Sequence, residues 1–237
     1  DYIMKDLKQT DPRIGIICQD DEIGRDTMRG LNAALKLYGL KLADKEVYKS
    51  GAVDFTSQVL NLKRAKANFV ILSMTTSEPP LVFKEARKFG YSPQFFGSVG
   101  LASDKVVEVS GEDSRGLLVI TNEARPDSDV PGAVEYRKSM EKYQPGTRLD
   151  FYSLACYGVG MVFAEGARRC GKDLTAEGLV TALETLNKFE TGGIYAPITF
   201  GPNMRDSVNS GYFLKANPEK KTYDVFDPTW REPTPLK

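Results

Sequence analysis

The residues able to do chemistry in this chain are few. Asp20 and Asp21 stand side by side after the apolar run Ile14, Ile16 and Ile17. Two carboxylates at a strand tip can hold Mg²⁺ in a phospho-receiver site, but that chemistry needs a phosphoacceptor aspartate at the end of a later strand. The matching stretch here reads Ser73, Met74, Thr75 and Thr76, so the acid pair reads as the cap of a helix. Histidine is absent from the sequence, which removes Ser-His-Asp and Cys-His catalysis together with the usual zinc ligands. Cys18, Cys156 and Cys170 are far apart with no C-x-x-C. They offer neither a metal knuckle nor a thioredoxin-type pair, and Cys18 and Cys156, set in apolar stretches, read as buried free thiols. Between the first strand and its helix the sequence is QDDEIG, and no G-x-G-x-x-G, G-x-S-x-G or Walker pattern occurs. A carboxylate pair for glycosidase chemistry stays open, although nothing singles one out. No metal and no cofactor is expected.

Polar and aromatic residues at the predicted exits of strands remain: Asp21 and Ile23, Thr75 and Thr76, Ser98 and Val99, then Tyr152 and Tyr157 at the start of a long apolar helix. Hydroxyls and backbone N–H groups can fix a small polar ligand while an aromatic face covers its apolar part. These residues suit binding without bond-making. Tyr157 reads equally well as a core residue.

The elements that must position them follow from hydrophobic periodicity. Ile14 to Ile17 predicts a buried parallel strand, and the helix that begins near Asp21 places Met28, Leu31, Leu35 and Tyr38 on one stripe, closed by Gly39. A strand near Glu46 to Lys49, a helix marked by Phe55, Val59 and Leu62, and the apolar run NFVILSM repeat the unit. Pro79 and Pro80 fit the first turn of a third helix. Strands at Gln94–Ser98 and Gly116–Ile120, with a short helix over Asp104–Val109 between them, complete a doubly wound parallel α/β sheet. In such sheets ligands bind beyond the carboxyl ends of the strands. From Thr121 the pattern changes to TNEARPDSDVPG, a connection, followed by helices at Ala133–Lys142, Phe151–Arg169 and Thr175–Leu186. Gly158 and Gly160 inside the middle helix predict close packing. A short strand ITFG and a terminal hairpin over Gly211–Asn217 and Thr222–Phe226 end the chain. Three helices with so little sheet call for a partner surface.

Composition sets the outer bounds. The 237 residues are 41% hydrophobic, enough for a core, and 32 basic residues balance 32 acidic ones with no basic block, which excludes a nucleic-acid footprint. No apolar run approaches the roughly 20 residues of a membrane span, and the N-terminus lacks the apolar core of a signal peptide. Tyr2, Ile3 and Leu7 read as the end of an amphipathic helix whose beginning lies outside the sequence, so the chain is expected to be a fragment.

In order, RIGIICQDDEIGRDTMRGLNAAL, DFTSQVLNLKRAKANFVILSM, LVFKEARKFGYSPQFFGSVGLAS, GLLVI, FYSLACYGVGMVFAEGARRC and GGIYAPITFGPN resemble the substrate-binding proteins of branched-chain amino-acid ABC importers, the type I periplasmic binding fold. The resemblance runs through nearly the whole chain. It implies two α/β lobes that close on a small ligand about a hinge, a periplasmic location and an importer permease as partner. By it, residues 1–120 form the second lobe, 121–200 a helical return to the first lobe, and 201–237 a tail returning to the second. The opening βα units of the first lobe would be missing.

Carried over by position, the family's tyrosine at the first strand exit falls on Ile23 and the aromatic of the next exit on Thr75 or Thr76. The acid that meets the ligand's α-ammonium falls on Val99. The aromatic that covers the ligand is present as Tyr152, with Tyr157 nearby. These substitutions imply a ligand with a carboxylate or polar head and an apolar or aromatic body rather than leucine. Two other readings stay open: the extracytoplasmic sensing domain of a receptor, and an α/β enzyme relying on carboxylates or lysine.

Overall fold

The computed structural model describes residues 1–172 and 174–235. Its frame is a seven-stranded sheet in the order β2-β1-β3-β4-β5-β6-β7. Strand β1 (Ile14–Gln19) is flanked in parallel by β2 (Asp44–Tyr48) and β3 (Phe69–Ser73), and β4 (Gln94–Gly97) and β5 (Leu118–Thr121) extend the sheet in parallel. Near-continuous apolar runs make this possible, because a parallel sheet is covered on both faces. Ile16, Ile17, Val70 and Leu72 are wholly buried. The edge pair β6 (Gly211–Asn217) and β7 (Thr222–Arg231) is joined by a tight turn closed by the Lys221 N–H on the Pro218 carbonyl, a connection short enough only for antiparallel neighbours.

The chain divides into two compact units. The first comprises Asp1–Thr121, Phe213–Pro228 and the stretch from Pro233; the second comprises Asn122–Tyr212 and Thr229–Glu232.

In the first unit, helices α1 (Glu22–Leu37), α2 (Thr56–Arg64), α3 (Pro79–Lys88) and α4 (Asp104–Ser110) connect the parallel strands. One sheet face carries Ile14, Phe69, Phe96, Leu118 and Phe213 against Leu35 and Leu31 of α1. Elsewhere Phe55, Val59 and Leu62 of the α2 region and Val82, Phe83 and Ala86 of α3 are fully covered. The predicted N-terminal helix end is a single π-type turn, Tyr2–Asp6, whose Tyr2 ring lies 4.8 Å from that of Phe213.

The second unit holds helices α5 (Pro131–Tyr143), α6 (Phe151–Cys170) and α7 (Ala176–Leu183); Ala133, Tyr136, Leu154, Ile194 and Tyr195 form its core, and α7 packs on α6 at Gly166. Asp150 opens α6 with a capping box, accepting from the Tyr152 N–H while Ser153 reaches back. The approach of the 190s segment to α6 rests on Gly158: a Cβ there would lie 2.5 Å from Cε2 of Tyr195.

Three expectations are corrected. Gly160 packs against nothing, for a Cβ there would meet no atom within 4 Å. Cys156 is exposed, whereas Cys18 is buried; position 156 shares a helical face of α6 with the exposed Val159 and Phe163, while Leu154 turns to the core. The ITFG strand is only an isolated bridge between Phe189 and Ile198, because turn residues on both sides leave no length to pair.

Candidate functional site

Asp21 and Ile23 follow β1, Thr75 and Thr76 follow β3 and Val99 follows β4, so all five lie at the carboxyl edge of three neighbouring parallel strands of the first unit. The loop after β1 is fixed by Asp21. One of its carboxylate oxygens accepts the Gly24 N–H at 2.9 Å, capping α1, and the other accepts the Gln19 amide at 2.7 Å. With Gly24 so close that a Cβ would fall 1.9 Å from the Gln19 carbonyl oxygen, the turn admits no side chain there. Its consequence is that Ile23 is pushed outward and stands 67% exposed. Glu22 does not add a free charge to this corner, since Arg25 and Arg29 both pair with it.

Strand β3 leads into Thr75, exposed, and Thr76, half-buried. Below them Ser73 is buried and shares a hydroxyl contact of 2.8 Å with Thr27 of α1. The loop closes on Glu78, only 5% exposed, whose carboxylate accepts the Thr75 hydroxyl at 2.6 Å. Strand β4 exits through Ser98, whose N–H donates to the Leu72 carbonyl, into a short 3₁₀ turn that starts at Val99. Val99 is 39% exposed while Leu101 beneath it is buried. Tyr48, at the end of β2, donates to the Gln19 side chain at 3.3 Å; burial above all, and then the Glu78 charge, hold its phenol above the ordinary tyrosine value. The exits of β3 and β4 thus face outward with hydroxyl and aliphatic groups, and their one carboxylate is turned inward.

Tyr152 and Tyr157 belong to the second unit and lie on different faces of α6. Tyr152 is 45% exposed, its ring 5.4 Å from Phe151, and burial, then Asp150 and Glu123, raise its phenol above the usual value. Tyr157 instead packs edge-on to Tyr136 at 5.6 Å, with its hydroxyl 3.4 Å from that of Ser139.

A cavity of about 290 Å³ opens at the same β1–α1 corner, between β1, β2 and the first turns of α1, lined by Cys18, Gln19, Asp20, Gly24, Arg25 and Lys45 among others. None of the predicted site residues lines it, and the arginines on its wall are matched by Glu22 and Asp26. Among the described residues no cluster of His, Cys, Asp or Glu could hold a metal ion, and no helix is long and apolar enough to cross a membrane.

Sequence reasoning missed Glu78 and Tyr48. A signal for Glu78 was present: it precedes Pro79 and Pro80, neither of which has an N–H, so its carboxylate has no donor in the first helical positions to cap.

The parallel α/β sheet, with loops of polar and aliphatic residues at its carboxyl edge, is the frame on which α/β proteins of this kind seat ligands. The chain belongs to the periplasmic binding protein family, whose model matches residues 1–222, a family of binding proteins and not of enzymes. It is 29% identical over 118 residues to the Leu/Ile/Val/Thr-binding protein of Salmonella typhimurium, covering 50% of this chain and 32% of that one. It is 24% identical over 182 residues to the leucine-, isoleucine-, valine-, threonine- and alanine-binding protein of Pseudomonas aeruginosa, covering 76% and 47%. The chain therefore spans less than half the length of these curated relatives. Among solved structures, a fatty acid ABC transporter substrate-binding protein from Thermomonospora curvata superposes with a TM-score of 0.85 at 20% identity, covering 98% of this chain and 61% of that one. A branched-chain amino acid ABC transporter protein from Thermus thermophilus with bound valine gives 0.81 at 18%, covering 95% and 62%. These likenesses establish the type I periplasmic binding fold.

Proposed function

We propose that this chain is the solute-binding part of an ABC importer, working in the periplasm and delivering its ligand to a membrane permease. The ligand is a small amino-acid-like or carboxylate-bearing molecule with an apolar or aromatic body. Ile23, Thr75, Thr76 and Val99 form its seat in this lobe, Asp21 fixes the first loop of that seat, and Tyr152 covers the ligand with Tyr157 behind it. Capture proceeds by hinge closure, driven by the ligand's higher affinity for the closed state.

The observation that carries this reading is the β1, β3 and β4 exits: exposed Ile23, Thr75 and Val99, with the carboxylates of those loops committed, Asp21 and Glu78 within their own loops and Glu22 to arginines. The relatives named for leucine, isoleucine and valine support the general ligand class. An aliphatic side chain at Val99 gives an α-ammonium no partner there, and a charge-assisted hydrogen bond forgone costs about 1.5–3 kcal/mol. Isothermal titration of the purified protein against amino acids and aromatic acids tests the reading. Binding of an apolar or aromatic acid with leucine weaker by tenfold or more is the expected result, and micromolar leucine binding rejects the specificity.

A further inference from the structure

Glu78 is the N-cap residue of α3, yet its side chain caps nothing. The next two residues are Pro79 and Pro80, which have no N–H, and the first available donor, the Leu81 N–H, is already taken by the Glu78 carbonyl at 3.0 Å. The carboxylate turns back instead and accepts the Thr75 hydroxyl at 2.6 Å while remaining 5% exposed. A hydroxyl has one proton to give and two lone pairs. With its proton committed inward, the exposed Thr75 has only acceptor capacity left for a ligand. The next hydroxyl, that of Ser77, lies 3.4 Å from the Thr75 oxygen, and the neighbouring exit at Val99 adds no donor from its side chain.

We propose that Glu78 is a positioning residue that sets the hydrogen-bond polarity of Thr75, so that the ligand group seated at the β3 exit is a hydrogen-bond donor, N–H or O–H, and not a carboxylate. This rests on the reading of the β3 exit as part of the ligand seat. A carboxylate brought to Thr75 would meet a lone pair and, behind it, a like charge. If the ligand carries an acid, the acid is held away from Thr75.

Isosteric probes separate the two polarities: 4-methylpentanamide against 4-methylpentanoate, with 3-methylbutylamine to distinguish a neutral from a cationic donor. Titrated into the 237-residue chain, the amide or the amine should bind about threefold to tenfold tighter than the acid, the ratio that one net hydrogen bond is worth. Thr75→Val should remove the preference, and Thr75→Ser should keep it. Glu78→Gln should shrink it severalfold, because an amide offers a donor as well as an acceptor and lets the hydroxyl turn its proton outward. Circular dichroism and unfolding curves confirm that each variant is folded. An acid that binds as tightly as the amide and amine, or a preference unchanged in Glu78→Gln and Thr75→Val, overturns the proposal. If apolar or aromatic acids bind while the preference is absent, the inference alone fails. If no solute binds at all, the binding reading fails with it.

Discussion

At the scale of single residues, the loops at the carboxyl edge of the sheet are arranged by carboxylates that are spent inside those loops. Asp21 spends both oxygens on its own loop, and Glu78 spends its carboxylate on Thr75. The exposed groups left over are Ile23, Thr75 and Val99. The tight turn at Gly24 belongs to the same logic, since the Gln19 carbonyl occupies the place of a side chain. Backbone cannot yield as a flexible side chain does. Gly24→Ala should therefore cost about 1–3 kcal/mol of stability, read from urea unfolding, and should weaken ligand binding by moving Ile23. An unchanged midpoint would show that the turn relaxes freely. Asp21 as a cap was legible from the acid pair at the strand tip. The role of Glu78 was not read, although the two prolines that follow it held the clue.

At the scale of elements, α6 shows how two glycines in one helix serve different ends. Gly158 lies under a Tyr195 ring that is pinned by its own hydroxyl donating to the Ala155 carbonyl at 2.8 Å, so the ring cannot swing aside. Gly158→Ala should destabilise by about 1–3 kcal/mol, whereas Gly160→Ala, facing open space, should stabilise by about 0.5–1 kcal/mol through helix propensity. Denaturant curves of the two variants are expected to move in opposite directions. Near the end of α6, Arg168 and Arg169 both hydrogen-bond Glu165 at 2.7–2.8 Å and hold its carboxyl down to about 2. A carboxyl depressed in the folded state contributes stability above its unfolded value near 4.5 and loses it as pH falls toward 2. The wild-type protein should accordingly lose more stability than Glu165→Gln between pH 5 and pH 2.5. Equal losses in parallel unfolding series would remove the pair from the acid response.

At the scale of the whole molecule, membership of a family of binding proteins makes a linkage prediction. A ligand present at one hundred times its Kd should raise the unfolding free energy by about 2.7 kcal/mol, seen as a rise in Tm that grows with ligand concentration. No rise with any small solute would contradict the proposed function. The same scale marks what could be read before folding. Apolar runs of strand length separated by helix-period stripes determined a parallel α/β sheet, and the missing histidine with its missing nucleophile motifs pointed away from catalysis, because periodicity and composition are local properties of the chain. Which atoms a carboxylate spends itself on, and whether position 156, 158 or 160 of one helix meets a neighbour or solvent, are decided by residues that sequence does not place together. Gly158 against Tyr195 and the rotation of α6 that leaves Cys156 outside are settled only when the helix finds its packing partner, since a period of 3.6 names the possible faces and tertiary contact chooses among them.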